Sequence, residues 1–191
     1  MGSRISIGLV YECNNMIESL EKLIKLLISD NGYIKGFKVS KDEEGNKWIE
    51  NFDTTTSISD EVYSCLTLGF YGQINLVSDI INLKHKDIVL NIERHSDYYG
   101  FLIDIEESSL IDEDSIIDIA TSIINLISDN FMNLRYDYAF CDNEAEIEYS
   151  LQEILSNNND IYCLLFIPNF VENKIEVKKS NWLLDGLTKR T

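Results

Sequence analysis

The chain has 191 residues, 33 Asp+Glu against 16 Lys+Arg and a formal net charge of −17. That length bounds the fold to one large domain or two small ones, and 45% hydrophobic residues place it with folded rather than disordered chains. No basic segment leads into an apolar stretch at the start, and no run approaches the roughly 18 apolar residues of a spanning helix, so a cytoplasmic, non-membrane domain over residues 1–191 is expected. Met1-Gly2-Ser3 fits both a loose myristoylation pattern and the scar of a cleaved tag.

Ile5 to Tyr11 reads as a strand. Asn14 or Asn15 then caps a helix with Ile17, Leu20, Ile24, Leu27 and Ile28 at 3.6-residue spacing, and Asn31-Gly32 supplies a left-handed stop. Strands follow at about 33–39 and 47–52, joined by the turn residues Asp42 to Asn46. From Val62 to Phe70 alternation favours a strand, although Ser59-Asp60-Glu61 could start a helix; Gly72 to Lys84 fits either a strand or a short helix. Residues 88–93 and 98–105 form an expected hairpin turning at His95-Ser96-Asp97.

Asp112 to Phe131 carries the clearest helical stripe, with Ile116, Ile119, Ala120, Ile123, Ile127 and Phe131 on one face. A strand at 136–141 follows, after which Asp142 or Asn143 is expected to cap a third helix with Ile147, Leu151, Ile154 and Leu155 inward, ended by Asn157-Asn158-Asn159. Residues 161–167 form an apolar strand bounded by Pro168, and an amphipathic piece runs from Lys174 to Leu184. This order implies an α+β fold: one mainly antiparallel sheet with about three helices packed on it. Cys13, Cys65, Cys141 and Cys163 are widely spaced and read as reduced core residues.

The charge is segregated. Between Asp97 and Asp160 stand sixteen acidic residues and one basic one, Arg135, whereas the remainder has 17 acids and 15 bases. Interleaved isoleucines make this window a folded surface rather than a tail. Its field would repel phosphates, which speaks against direct nucleic-acid binding. Asp142, Glu144, Glu146 and Glu153 fall at positions 1, 3, 5 and 12 of a calcium-loop template, but Ile147 stands where the glycine is required. His85 and His95 lie in expected turns, no cysteine has a histidine beside it, and no zinc, phosphate-loop or dinucleotide motif is present. No cofactor, metal or catalytic residue is therefore assigned.

Tyr98, Tyr99, Tyr136, Tyr138 and Tyr149 fall within the window. Tyrosine with complementary charge is the composition of a protein-binding surface, although strand tyrosines also pack simply on a sheet. In size, acidity and element order the chain resembles immunity proteins of bacterial polymorphic-toxin and contact-dependent inhibition systems. The resemblance implies a non-enzymatic antitoxin that binds a cognate toxin domain, often a basic nuclease, and occludes its active site. The expected partner-binding carboxylates are Asp104, Glu106, Glu107, Asp112, Glu113, Asp114, Asp118, Asp137, Asp142, Glu144, Glu146 and Glu148. Two alternatives remain open at this level: a nucleic-acid mimic or adaptor that binds a basic host protein, and a carboxylate-based enzyme using a divalent metal.

Overall fold

Alternation of apolar and polar residues dictates a sheet with two unlike faces, and a computed structural model of the chain has that arrangement. It describes residues 3–12, 15–29, 31–80, 86–107, 116–157 and 160–184, with side chains omitted at 116–118. Among the described residues nine strands form one sheet: β1 (Arg4–Tyr11), β2 (Tyr33–Ser40), β3 (Trp48–Asn51), β4 (Tyr71–Ser78), β5 (Lys86–Arg94), β6 (Tyr99–Glu106), β7 (Tyr138–Asn143), β8 (Leu164–Asn169) and β9 (Lys174–Lys179). Their spatial order is β3-β2-β4-β5-β6-β1-β7-β8-β9, and every neighbouring pair is antiparallel. The α+β fold expected from the sequence is the fold observed.

One face is the main core. Ile5, Ile7, Leu9 and Tyr11 of β1 line up with Phe101, Ile103 and Ile105 of β6 and with Ile88, Leu90 and Ile92 of β5, all at 2% exposure or less. Against them pack α1 (Met16–Leu27), α2 (Asp60–Leu68) and α3 (Ile116–Leu134), which contribute Leu20, Leu23, Ile24, Leu27, Leu66, Ile123 and Ile127. Burying each such side chain is worth roughly 1.5–3 kcal/mol, so this layer dominates stability. On the opposite face, beside β6, β1, β7 and β8, Val10, Leu102, Tyr138 and Phe140 meet Ile147, Tyr162 and Ile154 of the short α4 (Leu151–Ser156).

Several expectations are corrected. Residues 60–68 are helix, not strand: Ser59 stands in the extended N-cap conformation, Asp60 and Glu61 occupy the first turn, and Tyr63, Leu66 and Thr67 are buried at helical spacing. Acids in a first turn are favoured by the helix dipole. Leu68 and Phe70, which share a face with Val62 and Leu66 in the strand reading, are exposed. Asn15 caps α1 by accepting from Ile17 N and Glu18 N, but Ile17 itself faces solvent. Gly32 is not left-handed; a Cβ there would lie 2.6 Å from Ile28 Cα and 2.8 Å from Val77 O, so glycine allows close approach of chain segments. Gly45, at φ 67°, is the left-handed glycine and sits in the β2–β3 turn.

The third expected helix begins late. β7 runs through Asp142 to Asn143, residues 144–150 carry no helix, and α4 starts after Ser150 in a capping box with Glu153. Leu155 is exposed rather than inward. Pro168 lies within β8, beyond the residues that pair with β7, so its missing N–H breaks no ladder bond there. Cys141 and Cys163 are buried, as the sequence suggests, whereas Cys65 is exposed. Cys13, Asn14, His85 and Asn158-Asn159 lie outside the described residues.

Candidate functional site

The alternation that buries Ile74, Leu90, Ile103 and Ile7 projects Gln73, Asn91, Asp104 and Ser6 onto the opposite face. Sheet register sets Gln73 opposite Asn91 and Asp104 opposite Ser6, and Asn91 reaches Asp104 diagonally across the β5–β6 pair. Gln73 Nε2 donates to Asn91 Oδ1 at 2.8 Å, Asn91 Nδ2 donates to Asp104 Oδ2 at 2.8 Å, and Ser6 Oγ donates to Asp104 Oδ1 at 2.7 Å. Arg4 adds its guanidinium 3.7 Å from the same carboxylate. Burial raises the pKa of Asp104, and the Ser6, Arg4 and Asn91 contacts oppose that shift. A carboxylate with 7% exposure needs such partners, and the linked groups form a fixed polar floor.

A rim rises beside the floor. Where β7 ends, Glu144 adopts φ 50° and the following residues turn their acids and apolar groups alternately out and in. Ile147 is 2% exposed, whereas Glu144, Glu146 and Glu148 face solvent. Two small residues admit this layer: a Cβ at Gly100 would lie 2.5 Å from Ile147 Cδ1, and one at Gly8 would lie 2.1 Å from the Phe140 ring. The Phe140 and Tyr162 rings stack with centroids 3.9 Å apart. Tyr162 OH donates to Glu146 O at 3.1 Å, Tyr138 OH donates to Tyr149 O, and Leu151 N donates to Glu12 Oε1 at 3.0 Å.

Between floor and rim lies a cleft of about 740 Å³, into which Glu93, Asp104, Glu144, Glu146 and Glu148 bring five carboxyl groups against Arg4 and His95. Glu93 registers their crowding: burial first, then the charges of Glu146 and Asp104, push its carboxyl up to about 7. His95 Nε2 lies 4.0 Å from Glu93 Oε2, but burial lowers the imidazole's pKa. A second groove of about 830 Å³ shares Arg4 and Asp104 and extends the polar face past Glu106 towards Lys35 and Asp87, which are paired at 2.5 Å. Such a surface favours cations but leaves them partly solvated, as suits the basic side chains of a macromolecule.

The expected partner-binding residues separate into distinct groups. Glu144, Glu146 and Glu148 come together on the rim, with Asp104 in the floor beneath them. Glu106 is exposed in the second groove, and Glu107 follows it, half-buried. Asp142 is 1% exposed and accepts from Asn143 N at 2.7 Å, Cys163 N at 3.1 Å and Trp182 Nε1 at 3.3 Å. It supports the fold from inside, as does the half-buried Asp137, which accepts from Glu12 N at 2.7 Å. Asp112, Glu113 and Asp114 lie outside the described residues, as does the side chain of Asp118. Tyr99, Tyr136 and Tyr138 are buried, so their part is packing; Tyr98 and Tyr149 are half-buried beside the rim.

Sequence reasoning missed Glu93, Arg4, Ser6, Gln73 and Asn91. The signal was present in Ile88-Val89-Leu90-Asn91-Ile92-Glu93, whose even positions are apolar while Asn91 and Glu93 alternate with them. Among the described residues, no three His, Cys, Asp or Glu side chains are grouped to hold a metal ion.

In a comparison with known proteins, the family model described as Immunity protein 64 aligns with residues 1–190. No curated protein matches the sequence. Among solved structures, a chain of the complex between the toxic C-terminal tip of CdiA from Pseudomonas aeruginosa and an immune protein is similar, with 12% identity, 75% of this chain and 88% of that chain covered, and a TM-score of 0.49. The Pseudomonas aeruginosa type VI secretion protein PA0821 is more distant, with 9% identity, 74% of this chain and 41% of that chain covered, and a TM-score of 0.36.

Proposed function

The chain belongs to the immunity protein 64 family, and on that premise we propose that it neutralises a cognate toxin stoichiometrically, by holding basic toxin side chains in the acidic cleft. The observation that carries this mode of binding is the cleft itself: five carboxyl groups converge on one face, and one of them, Glu93, is pushed up to about 7 by burial first and then by the charges of Glu146 and Asp104. An approaching lysine or arginine relieves that repulsion, so binding and Glu93 ionisation reinforce each other. Glu144, Glu146 and Glu148 form the contact rim, Asp104 and Arg4 set the floor, and Glu106 and Glu107 extend the contact along the open face. Occlusion of the toxin's substrate cleft follows from occupying its basic residues, and no catalytic step by this chain is required. Among the described residues no helix is long and apolar enough to cross a membrane, and the proposed encounter is cytoplasmic.

The test is protection. The toxin domain recovered with this chain by affinity pull-down from its native cell is produced in a sensitive host together with wild-type protein or with the double variant Glu146→Lys, Glu148→Lys. Both substituted side chains are exposed, so the variant retains its fold, and loss of protection is expected. Full protection by the folded variant would refute the cleft as the binding site.

A further inference from the structure

The sheet has two edges of different character. β9 ends one side and carries Lys174, Lys178 and Lys179, the kind of charged edge that discourages strand addition. β3 ends the other and is exposed at all four residues, Trp48, Ile49, Glu50 and Asn51. Lys41 N donates to Lys47 O at 2.7 Å, and the register pairs Ser40 with Trp48, Val39 with Ile49, Lys38 with Glu50 and Phe37 with Asn51. Bonded and non-bonded pairs alternate in an antiparallel ladder. Ile49 and Asn51 therefore bond to β2, while the N–H and C=O groups of Trp48 and Glu50 point away from the sheet.

This edge adjoins the acidic face. Lys38 Nζ lies 5.0 Å from the centre of the Trp48 ring. A groove of about 420 Å³ runs from Trp48 past Tyr71 and Gln73 to Asn91 and Glu93, and the last two also line the cleft. Trp48 and Tyr71 are 38% and 49% exposed there, and Phe52 beyond the strand is 66% exposed. The local charge selects the occupant: residues 41–53 hold five acids, Asp42, Glu43, Glu44, Glu50 and Asp53, against Lys41 and Lys47. A second copy laid antiparallel on β3 would set these acids against one another.

We propose that β3 is the docking edge for an extended, basic segment of the toxin, which adds to the sheet as a tenth strand and lays its side chains beside Trp48, at the mouth of the groove that leads past Tyr71 to Glu93. Main-chain bonds to Trp48 and Glu50 give affinity, and the flanking acids and aromatic rings select the sequence. This rests on the neutralising role proposed above.

The probe is the pulled-down toxin domain, titrated calorimetrically with full-length chain. Glu50→Pro removes an outward N–H that β2 does not use. Lys179→Pro does the same on β9, because Ser180 N bonds to Cys163 O and the alternation leaves Lys179 facing outward. Expected are at least tenfold weaker binding for Glu50→Pro, binding within twofold of wild type for Lys179→Pro, and at least tenfold slower hydrogen exchange at the Trp48 and Glu50 amides of the wild-type chain in the complex. The exchange measurement holds even if Glu50→Pro misfolds. Unchanged exchange at both amides in a complex that still forms would overturn the docking edge and leave the neutralising role standing; failure of the wild-type chain to bind the toxin would overturn both. A wild-type dimer in sedimentation that Glu50→Pro converts to monomer would assign the edge to a second copy, against the proposal.

Discussion

The Tyr162 hydroxyl donates to the backbone carbonyl of Glu146 at 3.1 Å, joining the second apolar layer directly to the acidic rim. The same ring stacks on Phe140, with centroids 3.9 Å apart and planes 7° from parallel. Removing the hydroxyl in Tyr162→Phe should cost about 1 kcal/mol of stability, the usual net value of one such bond, and should weaken toxin binding several-fold by releasing Glu146. Tyr162→Ala also opens a cavity beside Phe140 and should cost about 3–5 kcal/mol. Denaturant titration and calorimetry measure both; a Tyr162→Phe protein unchanged in stability and binding would detach the rim from this layer.

Glu93 makes stability depend on pH. Its folded pKa, about 7, exceeds the ordinary glutamate value of 4.5, so between those limits the folded state holds a proton that the unfolded state has lost. Stability from this group is therefore fully present below about pH 4.5, falls as pH rises, and is at its lowest above about 7. Glu93→Gln should match wild type near pH 4 and exceed it by on the order of 2 kcal/mol at pH 8. Equal stability of the two proteins at pH 8 would show that Glu93 is not held protonated by its surroundings.

Toxin binding should release a proton from Glu93 when a cation enters the cleft. Calorimetry at pH 6.5 in buffers of different ionisation enthalpy should give buffer-dependent heats with wild type and a smaller dependence with Glu93→Gln. Heats with the same buffer dependence for both proteins would place the incoming cation elsewhere.

Asp142 is internal and its removal should separate fold from function. Asp142→Ala takes an acceptor from Cys163 N, Trp182 Nε1 and Asn143 N at a site with 1% exposure, a loss of about 2–4 kcal/mol. The fraction that remains folded should bind toxin with wild-type affinity. Weak binding without loss of stability would put Asp142 on the contact surface after all.

Legibility in the sequence followed the range of the forces involved. β1, β5 and β6 were readable because one face packs apolar residues while the other carries mainly polar residues or glycine. α2 was misread because Val62 and Leu66, four residues apart, satisfy two periods at once while Leu68 and Phe70 extend the alternation of a strand, and the deciding features were Ser59 in the N-cap position and the acidic first turn after it. Residues 144–150 escaped because hydroxyls of Tyr138 and Tyr162 hold their carbonyls, contacts that no local pattern encodes. The rim acids Glu144, Glu146 and Glu148 were legible as charge, but Glu93 and Arg4 reach the same cleft only through the β5-β6-β1 register. Asp142 was assigned to the surface because it reads as the cap of a helix that in fact starts after Ser150, and nothing local marks its carboxylate as internal.

The rate of association with the toxin domain tests the acidic cleft most directly. Stopped-flow measurement at 20 and 500 mM salt should show wild type approaching roughly 10⁸ M⁻¹s⁻¹ at low salt and falling by at least tenfold at high salt, whereas Glu144→Lys, Glu146→Lys, Glu148→Lys should start near 10⁵–10⁶ M⁻¹s⁻¹ and change little. Equal rates for the two proteins at both salt concentrations would contradict the claim that this cleft receives the toxin.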